Sequence, residues 1–246
     1  MALEALLWDV DGTLAETERD GHRQAFNCAF AEAGLPIHWD AESYGTWLSV
    51  SGGHERIHAA LWATEGNEPA SERVAHLQAR KQLHYRHLME SGRVALRPGV
   101  VQLIRAADAA GLPQGIVTTS GRSAVRTLVD QLLPQDADSF DFWVCGEDVQ
   151  RKKPDPEAYH LAKQRLSGYG LESILAIEDS PAGLAAATGG GLACLLSPSH
   201  YTKSVPLEQW SAACAVVTEL GRHGRVLAGP TCKTDGITLS YLSGLF

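Results

Sequence analysis

The chain has 246 residues, 44% hydrophobic and 20% charged, enough for one large or two smaller domains with a real core and too apolar for a disordered chain. Its formal net charge of −8 comes without a Lys/Arg block or basic-aromatic interleaving. That argues against nucleic-acid binding and leaves any anionic substrate dependent on a local positive pocket made by a metal, a few placed cations and helix N-termini. No apolar run reaches the roughly 20 residues that span a bilayer, and the N-terminus enters the first strand without a secretory or Arg/Ser-rich presequence. A cytosol-like compartment is expected, or a plastid stroma after removal of a transit peptide. The five cysteines, Cys28, Cys145, Cys194, Cys214 and Cys232, lack CxxC or Cys/His spacing and read as reduced, mostly packed thiols.

Leu6-Leu7-Trp8-Asp9-Val10-Asp11-Gly12-Thr13 is an apolar strand delivering two carboxylates onto a glycine turn. Strand alternation puts Asp9 and Asp11 on one side, and two crowded carboxylates suggest Mg²⁺ between them with one left free to attack a phosphate ester. A long helical stretch follows. Ala25, Phe26, Ala29, Phe30 and Ala33 recur at helical spacing and stop at Gly34. Further helices are expected over about 41–50, 54–64 and 71–90, broken by Gly52-Gly53 and Asn67-Glu68-Pro69. Val74, Leu77, Lys81 and Leu88 share one face of the last. Arg97-Pro98-Gly99 then opens a helix with Val100, Leu103, Ile104 and Ala107 on one face. Strands at about 115–118, 142–146, 175–178, 192–196 and 213–217 alternate with helices at about 123–133, 155–166 and 181–189. The fold class this predicts is α/β, a doubly wound parallel sheet with an inserted all-helical cap: core 1–15 and 93–246, cap 16–92. The tail after Gly221 yields no placement.

Three more polar groups end predicted strands, where ligands of such sheets gather. Thr118-Thr119-Ser120-Gly121 offers hydroxyls and free helix N–H groups to a phosphate, or else merely caps the helix. Lys153, held extended before Pro154, offers a fixed ammonium, where a Lys-Lys pair is otherwise a solvated loop. Glu178-Asp179 ends an apolar strand ahead of Ser180-Pro181; Asp179 reads as a helix-start residue, but paired acids at a buried strand end need a cation.

In order, Asp9-Val10-Asp11-Gly12-Thr13, Thr118, Lys153 and Glu178-Asp179 resemble the four motifs of the haloacid-dehalogenase-like phosphatase superfamily, whose true dehalogenases lack an aspartate at the place of Asp11. The helical insertion resembles the mobile cap of its β-phosphoglucomutase and phosphoglycolate phosphatase subgroup. Within that subgroup the chain is similar to CbbY-type sugar-bisphosphate phosphatases, which act on xylulose 1,5-bisphosphate. That similarity rests on Asp20-Gly21-His22-Arg23, Phe26-Asn27, Trp39-Asp40, Gly52-Gly53-His54-Glu55-Arg56, Leu96-Arg97-Pro98-Gly99, Lys152-Lys153-Pro154-Asp155-Pro156 and Tyr201-Thr202. His54 stands where those enzymes usually carry lysine, and a histidine is mostly neutral near pH 7 unless a bound phosphate raises its pKa.

The resemblance implies Asp9 as nucleophile and Asp11 as acid and base. It implies Mg²⁺ on the Asp9 carboxylate, the Asp11 backbone carbonyl, Glu178 and Asp179, with Thr118 and Lys153 on the transferring phosphoryl group. Glu18, His22, Gly53, His54, Arg56, Lys81, Thr119 and Ser120 are the candidate substrate contacts. The expected partner is a small phosphorylated sugar, with no nucleic acid or membrane, and the chain is expected to act as a monomer. The motifs leave open a β-phosphoglucomutase-type phosphomutase, which would release no inorganic phosphate, and a phosphoglycolate phosphatase. A phospho-accepting signalling module also uses acids, a Thr and a Lys-Pro, but has neither a nucleophile at the first strand nor a long insertion.

Overall fold

A computed structural model describes residues 2–233 and 235–246. Its centre is β1 (Ala5–Trp8), an apolar run in which every residue is buried, as a strand covered on both faces requires. Leu6 and Trp8 join one core cluster while Ala5 and Leu7 join another, the two faces of a period-2 strand. The Trp8 indole is satisfied inside the first, donating to Gln114 Oε1 at 3.0 Å.

Among the described residues seven strands form one sheet in the order β3-β2-β1-β4-β5-β6-β7, with β2 (Gln114–Val117), β3 (Phe142–Val144), β4 (Ile174–Glu178), β5 (Ala193–Leu196) and β6 (Ala215–Val217). These six pair in parallel. The seventh, β7 (Val226–Ala228), pairs antiparallel with β6, which amends the all-parallel expectation. This strand escapes a sequence reading because three residues beside Gly-Pro and Gly breaks carry too little periodicity.

The chain moves outward from β1 to β2 and β3, then returns to lay β4 on the other side of β1. That reversal opens a crevice at the carboxyl ends of β1, β2 and β4.

Between β1 and β2 lie a π-helical turn at Glu18–His22, α1 (Arg23–Glu32), α2 (Ala41–Trp47), α3 (Gly53–Glu65) and α4 (Ser71–Glu90). They enclose their own core around Phe26, Phe30, Trp39, Tyr44, Ile57 and Leu61. Ala25, Tyr85 and Met89 from the same helices join the larger core below. The two crossings run side by side: Ala15 bridges Leu96, and the Arg97 N–H donates to the Leu14 carbonyl at 2.8 Å.

Helices α5 (Val100–Ala109) and α6 (Arg122–Leu132) cover one sheet face, and α7 (Glu157–Arg165) and α8 (Pro181–Gly189) the other. A short α9 (Leu239–Ser243) closes the tail against α5. Cys145 and Cys194 are buried, but Cys28 is exposed on α1, so the packed-thiol reading fails there. Among the described residues no helix is long and apolar enough to cross a membrane.

Candidate active site

β1 ends at Trp8, and the next residue, Asp9, is buried at 7% exposure in the crevice. Its Oδ2 accepts from Thr13 Oγ1 at 2.9 Å and its Oδ1 from Lys153 Nζ at 2.8 Å. The same ammonium reaches Glu178 Oε1 at 2.6 Å and the Val117 carbonyl at 2.7 Å, so one side chain ties together the ends of β1, β2 and β4. Burial works against the Lys153 charge, but Asp9 and Glu178 outweigh it and hold its pKa above the usual lysine range.

The acids at this floor repel one another. Burial and the charge of Glu178 push Asp9 up to about 7 against the pull of Lys153, and burial with the charge of Asp9 pushes Asp179 well above the carboxylate range. Asp9, Glu178 and Asp179 each offer one oxygen within 4.8 Å of the others. Glu178 is held on one oxygen by Tyr159 Oη at 2.5 Å, while its other oxygen is buried without a hydrogen-bond partner. Crowded, buried oxygen donors with an orphaned lone pair fit a hard dication such as Mg²⁺.

The backbone is shaped to bring the acids close. Gly12 has φ +88°, and a Cβ on it would lie 2.2 Å from Asp179 Oδ2; a Cβ on Gly183 in α8 would lie 1.8 Å from Glu178 Oε2. Asp179 is not the helix cap, since Ser180 takes that place and accepts from the Gly183 N–H at 3.1 Å.

Asp11 departs from the expectation that it shares a cation with Asp9 through their side chains. The strand has ended before it, alternation no longer applies, and its carboxylate turns toward the helical insertion. It accepts from His22 Nε2 at 2.9 Å, from Thr17 Oγ1 and from Ser120 Oγ. Burial raises its pKa, but the charge of His22 and these three hydrogen bonds prevail and hold it well below the usual range.

Ser120 is therefore a partner of Asp11 and not a helix cap. Thr118 is buried, with its hydroxyl accepting from the Ser120 N–H at 3.1 Å. The first N–H of α6, on Arg122, faces the Glu147 carboxylate at 3.0 Å, so that N–H does not point at the crevice as the sequence suggested.

Above the floor is a cavity of about 370 Å³ that includes Asp9, Asp11, Lys153 and Asp179 below and Glu18, Arg56 and Tyr201 above. Arg56 is 5% exposed, bonded to Tyr44 Oη at 2.5 Å, to Glu18 Oε2 at 3.4 Å and to the Val50 carbonyl. Lys81 Nζ lies 2.8 Å from His22 Nδ1 and 4.8 Å above the Phe26 ring. Burial lowers its pKa to about 8, against the pull of Glu18 and Asp11.

Glu18, His22, Arg56, Lys81, Thr119 and Ser120 thus converge, and Gly53 stands at the edge of an adjoining smaller cavity. His54 does not join them: it is exposed and lines neither cavity. Successive helical residues turn about 100°, so with Arg56 facing inward the residue two before it faces away. Lys152, in the Lys-Lys pair otherwise read as a solvated loop, pairs with Glu55 of α3. Tyr44 and Tyr159 escape sequence reasoning because each sits on an apolar helix face and reads as core.

With this geometry in place, the family follows. A family model for haloacid dehalogenase-like hydrolases matches residues 3–191, so the chain belongs to that family, and within it the protein is a phosphatase. It is 44% identical to the protein CbbY of Rhodobacter capsulatus over 214 residues, 87% of this chain and 92% of the relative. A CBBY-like protein of Arabidopsis thaliana is 37% identical over 216 residues, 85% of this chain and 67% of its own. The structure matches a crystal structure of CbbY from Rhodobacter sphaeroides in complex with xylulose 1,5-bisphosphate at a TM-score of 0.80 and 38% identity, covering 88% of this chain and 94% of that one.

Proposed function

We propose that the protein hydrolyses a small sugar phosphate, in particular a sugar bisphosphate of the xylulose 1,5-bisphosphate type, through a phosphoryl group carried on Asp9. The observation that carries this reading is one buried cluster, Asp9 bonded to Lys153 beside Glu178 and Asp179, at the floor of a cavity roofed by Arg56. A similar protein of closely matching fold binds xylulose 1,5-bisphosphate.

Mg²⁺ would be held by the side chains of Asp9, Glu178 and Asp179 and the Asp11 carbonyl, and when bound would supply positive charge to the phosphoryl oxygens. The Asp9 carboxylate attacks phosphorus as the bond to the sugar oxygen breaks; Asp11, ionised while it is held by His22, Thr17 and Ser120, must first turn from them and take up a proton, which it then gives to that oxygen. Water then attacks the phosphoryl-Asp9 while Asp11, now ionised, takes the water's proton; the bonds from Thr17, His22 and Ser120 suit it to that ionised form. Lys153 and Thr118 hold the transferring group, and the Lys153 charge meets the negative charge that develops on it. Residues 16–92 act as a cap that swings on the paired crossings at Ala15 and Leu96 and excludes bulk water when closed.

Inorganic phosphate release with Mg²⁺, measured over sugar mono- and bisphosphates and phosphoglycolate, tests this. The expected result is the highest kcat/KM on pentulose bisphosphates. Conversion of a sugar phosphate to its isomer without phosphate release, or no preference for sugar phosphates, would refute it.

A further inference from the structure

The helical insertion meets the core at the segment that carries Lys153, through bonds the reaction above does not use. Ser51 and Gly52 lie between α2 and α3, and the Ser51 hydroxyl donates to the Lys153 carbonyl at 2.9 Å. The residue before Lys153, Lys152, pairs with the Glu55 carboxylate on the first turn of α3. Burial works against the Glu55 charge, but the bond from Lys152 outweighs it and holds the Glu55 pKa below the usual carboxylate range. The backbone leaves room for this pair: Gly52 has φ +96°, and a Cβ on it would overlap both the Glu55 carboxylate and the Lys152 ammonium. Residues 51–55 of the insertion thus grip two consecutive residues of the core. The second of these sends its ammonium to Asp9, Glu178 and the Val117 carbonyl.

We propose that Ser51, Glu55 and Lys152 are positioning residues that form a latch, making closure of the cap and placement of the Lys153 ammonium a single event. Catalysis by electrostatic positioning is sensitive to displacements of about 1 Å, and a carbonyl fixed on the same residue limits how far the ammonium drifts. The latch is also weak enough to release. The Glu55 side chain is 45% exposed and that of Lys152 21%, and an ion pair in such a setting shifts an equilibrium by about fivefold at most. Closure is favoured without being held against product release. The assignment rests on the phosphatase reading of Lys153 and on the swinging cap.

Amide hydrogen exchange without substrate reports the latch itself. Lys152→Glu is expected to raise exchange over residues 48–56 and 149–153 together, and the charge-swapped pair, Lys152→Glu with Glu55→Lys, to return both segments to the wild-type rates. Phosphate release from a sugar phosphate and from acetyl phosphate reports the placement of Lys153. The expected losses in kcat/KM are about threefold for Glu55→Gln and for Ser51→Ala, about tenfold for Lys152→Glu, and less than about twofold for the charge-swapped pair. Ser51→Thr keeps the hydroxyl and should match the wild type. At about 1 M salt, where charges are screened within about 3 Å, the Glu55→Gln loss should vanish while the Ser51→Ala loss persists. Exchange that rises in one segment alone, a charge-swapped protein no better than Lys152→Glu, or linked exchange with unchanged kcat/KM in every single variant would overturn the assignment. The same losses on acetyl phosphate, with no sugar phosphate accepted, would keep the latch and remove only the sugar-phosphate reading.

Discussion

Asp9, the proposed nucleophile, is buried beside Glu178 and Asp179 with Lys153 as counter-charge. Asp9→Asn keeps the shape and removes the anion, so turnover is expected to fall more than about 10³-fold. Relief of the repulsion should leave the Tm within a few degrees of the wild type. A folded variant with near-normal phosphate release would take the nucleophile's role from Asp9. The two residues of the Gly52–Arg56 segment that the sequence pairs as cationic candidates separate in the structure: Arg56 is buried in the cavity roof and His54 is exposed. His54→Ala is therefore expected to change kcat/KM for a bisphosphate less than about twofold, as a solvated side chain does. Arg56→Met should lower it more than about tenfold, the scale of one charge-assisted contact. Steady-state kinetics of both variants on matched mono- and bisphosphates decide this, and a large loss at His54 alone would restore it as the phosphate contact.

At the scale of elements, two helices place charge by interrupting their own patterns. On α4 the buried face runs Val74, Leu77, Lys81, Tyr85 and Met89, so an ammonium occupies a position where an apolar residue belongs. There it meets His22, which in turn meets Asp11. The Lys81 pKa of about 8 lies below the ordinary lysine value, so the group is charged below that pH and neutral above it. Activity is accordingly expected to fall as pH rises through about 8. Lys81→Met should show lower activity throughout and lack that alkaline limb; an unchanged limb in the variant would assign it to another group. On α8, Gly183 leaves room for the Glu178 carboxylate. Gly183→Ala should favour the helix by up to about 1 kcal/mol through propensity, yet displace that carboxylate. The half-saturating Mg²⁺ concentration is expected to rise more than about tenfold, read from the Mg²⁺ dependence of the Tm as well as from activity.

At the scale of the whole molecule, the acids of the floor come from two strand ends distant in the chain, those of β1 and β4, and a dication bound there would stabilise the native state alone. Chelation is expected to abolish activity and Mg²⁺ to restore it. At a hundredfold excess over Kd, binding adds about 2.7 kcal/mol, which for a chain of this size raises the Tm by about 5–10 °C. Calorimetry with and without Mg²⁺ checks the coupling, and full activity in demonstrably metal-free protein would exclude the proposed chemistry.

The amino-acid sequence by itself determined the elements and the floor of the site, because both are written locally. An apolar run ending in acids, hydroxyls or a lysine reads as a strand delivering polar groups to the carboxyl edge, and the α/β alternation then requires those edges to lie together. The short β7 stayed hidden for want of periodicity. Only the tertiary structure decided how side chains sort above the floor. Whether Asp11 faces Asp9 or His22, whether Arg56 or His54 enters the cavity, and whether Tyr159 props Glu178 depend on the rotation and packing of helices distant in the chain. A charge on a helix reads the same in sequence whether it faces water or a substrate, because the difference lies in what packs against it.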